Sequence, residues 1–126
     1  MNANEVDLFE KNYAQMQALF DEISNLSKKS PNDAVNKFKL NFINRVLNEA
    51  NTLLKEKYTP FPDFTGFEED ELPTNSDVTM ILLQYINCLE KLRSDNLATY
   101  GGTWYWVIDG QRSDNRTGLP KKLRLK

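Results

Sequence analysis

Carboxylates, amines, hydroxyls and a single thiol are the side chains this sequence offers for chemistry, because its 126 residues include no histidine. That absence removes the commonest general base, the Ser-His and Cys-His nucleophile pairs, and nearly every zinc site. Cys88 is the only cysteine, so no intramolecular disulfide can form. It stands in the most apolar stretch with no imidazole to lower its pKa, which reads as a buried structural thiol rather than a nucleophile.

The carboxylates offer little more. Glu68-Glu69-Asp70-Glu71 could supply oxygens to Mg²⁺ or Ca²⁺, but four consecutive acids in a loop do not converge on one ion unaided. A solvated acidic loop is the ordinary reading. Asp63 after Pro62, with Asp109-Gly110-Gln111, loosely matches a metal-dependent nuclease core, yet glutamine stands where that core needs lysine. No phosphate loop exists either, since Gly101-Gly102 precedes strand-like residues and no Gly-Lys-Ser/Thr follows. The expectation is a protein that is not an enzyme and holds no cofactor or metal.

Binding chemistry is better supplied. Trp104, Tyr105 and Trp106 form an aromatic run, and Phe61, Phe64 and Phe67 recur at intervals of three in a proline-containing loop. Either group could anchor a partner protein. The competing reading makes the tryptophans hairpin core and has the phenylalanines pin the loop to its own helices. Charge is also uneven. Residues 1–111 carry ten Lys/Arg against seventeen Asp/Glu, whereas 112–126 carry Arg112, Arg116, Lys121, Lys122, Arg124 and Lys126 against Asp114 alone. Cations beside tryptophan and tyrosine are what single-stranded nucleic-acid platforms use.

The elements that position these groups follow from hydrophobic periodicity. Leu8, Phe9, Tyr13, Met16, Leu19, Phe20, Ile23 and Leu26 alternate steps of three and four, predicting a helix over 6–27. Ser30-Pro31-Asn32-Asp33 reads as a cap and first turn, predicting a second helix over 31–58 that ends before Pro60. Its apolar positions include Val35, Phe38, Phe42, Ile43, Val46, Leu47, Ala50, Leu53, Leu54 and Tyr58, with Leu40 to one side. Residues 59–75 form a long loop. A third helix, over 77–97, is apolar around most of its circumference and must be covered on several sides.

Gly101-Gly102 breaks that helix, and residues 103–109 then alternate aromatic and β-branched side chains, predicting a strand. Gly110 to Gly118 reads as a loop, and 119–126 alternates again inside the basic tail, 112–126. The expected fold is mainly α: one domain built as a three-helix antiparallel bundle, with a short C-terminal β-hairpin or extended segment docked on it. The longest apolar run is far short of a membrane span, and the polar start carries no signal-like pattern, predicting a cytoplasmic protein.

Three functions compete. The first is a non-catalytic interaction protein, an accessory subunit, inhibitor or adaptor of bacterial or phage type. It would bind another protein or its own copy, as a homo-oligomer, through the third helix or the aromatic segment. The alternative is nucleic-acid binding through the basic tail and Trp/Tyr stacking. A carboxylate-held metal enzyme using Glu68, Glu69, Asp70 or Asp63 ranks last.

Overall fold

The computed structural model describes residues 1–118 and shows three helices followed by a three-stranded antiparallel sheet. Helix α1 spans Ala3–Lys29. It begins earlier than periodicity predicts because Asn2 and Glu5 form a capping box: Asn2 Oδ1 accepts from the Glu5 amide at 2.9 Å, and Glu5 Oε1 accepts from the Asn2 amide at 3.0 Å. Lys28 and Lys29 close its last turn, where cations complement the helix dipole.

Helix α2 spans Lys37–Tyr58, so it does not start at Pro31. Ser30 instead ends α1, its amide donating to the Leu26 carbonyl. The Asn36 side chain is the N-cap, accepting from the Lys39 amide at 2.8 Å. The intervening residues take their backbone hydrogen bonds from the segment before the third helix. The Val35 amide donates to the Pro73 carbonyl, the Asn75 amide to Asp33, and Ala34 bridges Thr74. Val35 thereby enters the core as extended chain rather than as a helical residue. Near the other end of α2, Lys55 adopts φ 55° and ψ −169°, a kink three residues before the helix ends.

Helix α3 spans Asn75–Ser94, with Thr74 as its N-cap. It stops short of the predicted 97 because Leu97–Tyr100 is strand β1, followed by β2 (Thr103–Ile108) and β3 (Gln111–Arg116). The sheet order is β1-β2-β3. Gly101-Gly102 therefore turns a hairpin rather than breaking a helix, and the predicted polar loop after Gly110 is largely a strand. Both connections are two-residue loops with positive φ at each central residue: 58° and 79° at Gly101 and Gly102, 51° and 82° at Asp109 and Gly110. That is the type I′ geometry that matches the twist of the flanking strands. The second strand predicted over 119–126 lies outside the described residues.

One continuous apolar core joins these elements. Phe9, Met16 and Ile23 of α1, Leu40, Ile43, Leu47 and Leu54 of α2, and Leu82, Tyr85, Ile86 and Leu89 of α3 are sealed within it, as is Trp106 of β2. Each helix packs against the other two. Asn12 of α1 donates from Nδ2 to the Val46 carbonyl of α2 at 3.0 Å, fixing their register.

Candidate interaction surfaces

The β2 register sorts the aromatic run. Leu97 pairs with Trp106 and Thr99 with Trp104, so these side chains share the inner face. Trp106 is fully buried, packs edge-on against Phe9 at 4.9 Å, and donates from Nε1 to Glu10 Oε1 at 2.8 Å. Thr117 donates to the same Glu10 oxygen at 2.8 Å and accepts from Arg93 Nη1. Arg93 is itself buried, paired with Glu90 and lying over the Tyr13 ring at 4.8 Å. This clasp ties β2 and the residue following β3 to α1 and α3. Trp106 is therefore an anchor of the fold, while Trp104 is half-buried on the same face.

The opposite face carries Tyr100 and Tyr105. Val107 pairs with Arg112 and Tyr105 with Arg116, across a bulge that breaks the β2–β3 register between them. The Arg112 guanidinium lies over the Tyr100 ring at 4.5 Å and over the Tyr105 ring at 5.3 Å. Tyr100 is 66% exposed, and Arg112 and Arg116 are both exposed. Lys121, Lys122, Arg124 and Lys126 lie outside the described residues.

The loop phenylalanines divide. Phe64 and Phe67 stack edge-on at 5.1 Å and pack against the core, Phe64 also meeting Tyr85. Asn44 of α2 clamps Phe67 at both backbone groups, accepting from its amide at 2.8 Å and donating to its carbonyl at 2.9 Å. Phe61 alone of the three is exposed, bordering a cleft of about 450 Å³ with Pro62, Phe64, Thr59 and Lys55.

The apolar girdle of α3 is consumed internally. Val78, Ile81, Leu82, Leu83, Tyr85, Ile86, Leu89 and Leu92 are buried, and Met80 is its exposed large apolar residue. The structure exposes a different pair. Phe38 is 72% exposed and Phe42 39%, their rings edge-on at 5.1 Å, with the Arg45 guanidinium over Phe42 at 5.1 Å. Beside them a cleft of about 250 Å³ is lined by Phe42 and Val46 of α2 and by Gln15, Ala18 and Leu19 of α1. Periodicity had placed both phenylalanines in the buried face and Leu40 to one side. The reverse holds, since Leu40 is fully buried. The stripe Leu40, Ile43, Leu47, Ala50, Leu54 is complete at helical spacing without the phenylalanines, and that surplus is the signal that would have found them.

Burial pushes the Cys88 thiol up, away from the thiolate a nucleophile requires. Asp7, Glu10 and Asp114 line a shallow cleft of about 380 Å³, and Glu68 to Glu71 are exposed. Among the described residues, however, no three His, Cys, Asp or Glu side chains are grouped to hold a metal ion. Asp63 is exposed in the loop and Asp109 occupies the β2–β3 turn. No described helix is long and apolar enough to cross a membrane. No family model matches this chain, and the comparisons with curated proteins and with solved structures found no match either.

Proposed function

We propose that this is a non-catalytic interaction protein, an accessory subunit, inhibitor or adaptor, that docks a partner protein on the Phe38–Phe42–Arg45 ledge and the adjoining α1–α2 cleft. The observation that carries this reading is the exposure of two mutually packed phenylalanine rings beside an apolar cleft. Burying an aromatic side chain is worth about 1.5–3 kcal/mol, so two left in water on one helix face form a reserve that a partner can use. Phenylalanine with an overlying arginine is also the chemistry enriched where interfaces concentrate their affinity. In this reading the three helices form an antiparallel bundle whose α1 and α2 present the ledge as one rigid surface.

The charge around the ledge specifies the partner. Residues 37–48 carry Lys37, Lys39 and Arg45 and no acid, although the whole chain is acidic. Lys39 is engaged by Glu22 at 2.7 Å, which leaves Lys37 and Arg45 with no salt bridge among the described residues. The complementary occupant is an amphipathic segment of another protein whose apolar stripe is flanked by Asp or Glu.

The test is capture with the tagged full-length chain after nuclease treatment, beside Phe38→Ala/Phe42→Ala and Arg45→Glu variants. The expected result is a stoichiometric protein retained by the parent and lost from both variants while their melting temperatures hold. Retention of the same protein by both variants would overturn the proposal. So would a parent chain that captures nothing, or one that associates only with its own copy in sizing experiments.

A further inference from the structure

We infer that the outer face of the C-terminal sheet is a second binding surface, one that takes single-stranded nucleic acid. It is separate from the helical ledge, since its residues lie on β1, β2 and β3 and not on α1 or α2. The Arg112 guanidinium lies over both the Tyr100 and the Tyr105 rings, at 4.5 and 5.3 Å from their centroids. Neither Arg112 nor Arg116 makes a salt bridge among the described residues, although Asp109 and Asp114 lie on the same hairpin. A guanidinium braced by two rings and free of carboxylate is a preorganised phosphate contact. The Tyr100 ring, 66% exposed beside it, supplies a face on which a base can stack.

Charge distribution points the same way. Residues 1–96 carry ten Lys/Arg against sixteen Asp/Glu, whereas residues 97–126 carry six Lys/Arg against Asp109 and Asp114. Within the described sheet segment, residues 97–118, Arg112 and Arg116 balance Asp109 and Asp114, so a polyanion meets less repulsion on this face than on the acidic helices. The ligand is single-stranded because a duplex hides its base faces and leaves Tyr100 nothing to stack on.

The experiment is fluorescence anisotropy of the full-length chain with labelled poly(dT), poly(U), a matched duplex and a poly-glutamate peptide, titrated from low salt to about 0.15 M. Both single strands should bind more tightly than the duplex, and whichever of poly(dT) and poly(U) binds better identifies the preferred sugar. Affinity should fall with salt at a log–log slope steeper than about −1.4, the value for two phosphate contacts on a single strand. Tyr100→Ala should weaken binding about tenfold, with Tyr100→Phe restoring it. Arg112→Ala should make the slope shallower by about 0.7. Both residues are exposed, so the fold should survive, and circular dichroism checks that. Failure to bind either single strand, equal affinity for duplex or poly-glutamate, or binding that Tyr100→Ala and Arg112→Ala leave unchanged would overturn the inference.

Discussion

Two tryptophans two residues apart share the inner face of β2, yet only Trp106 is sealed, because Phe9 meets its ring and Glu10 accepts its N–H. Truncating a buried aromatic costs about 3–5 kcal/mol, so Trp106→Ala should lose stability in that range in urea unfolding. Trp104→Ala should cost clearly less. The sequence shows the alternation that puts both indoles on one face. It does not show Glu10, which lies ninety-six residues away from Trp106. Tertiary partners of this kind are legible only once the chain is folded. The same limit applies at Asp95, whose carboxyl is held below the ordinary value, chiefly by the Tyr58 hydroxyl at 2.7 Å and then by Lys91 at 2.9 Å. Glu5 is likewise held down, first by the Asn2 amide. A depressed folded-state pKa adds stability above the ordinary carboxylate pKa of about 4 and loses it as pH falls through the folded value. Asp95→Asn and Glu5→Gln should therefore lower stability at neutral and alkaline pH, flatten the acid limb of the stability–pH curve, and change little below the folded-state pKa.

At the scale of elements, backbone hydrogen bonds outweigh local cap chemistry in deciding where α2 starts. Ser30-Pro31 has the chemistry of a helix start, but residues 33–35 find partners at 73–75, and Asn36 caps α2 instead. Asn36→Ala should cost about 1 kcal/mol, the usual worth of an N-cap. Ser30→Ala should stay within about 0.5 kcal/mol. A reversed ranking in thermal unfolding would mean that the helix starts at Pro31 after all. A C-terminal hairpin is legible in the sequence, and so are the two turns that build the sheet. Gly101-Gly102 and Asp109-Gly110 are two-residue turn dipeptides at either end of the β-prone run 103–108, and reading the first as a helix stop extends the third helix over Leu97.

For the molecule as a whole, composition carried further than position. The lack of histidine and the single cysteine argue against most catalytic schemes before any fold is known, and the mainly helical architecture with a C-terminal sheet follows from periodicity. Which apolar residues stay outside did not follow. The third helix looked like the surplus because it is apolar all round, and it is instead covered by α1, α2 and the loop at Phe64 and Phe67. The surplus sits on α2, at Phe38 and Phe42. The most direct measurement places a benzoyl-phenylalanine photo-cross-linker at position 38 of the full-length chain in its native cell, with exposed position 69 as the control. The account predicts one discrete protein adduct from position 38 and none from position 69. No adduct from 38, or the same adducts from both positions, would contradict it.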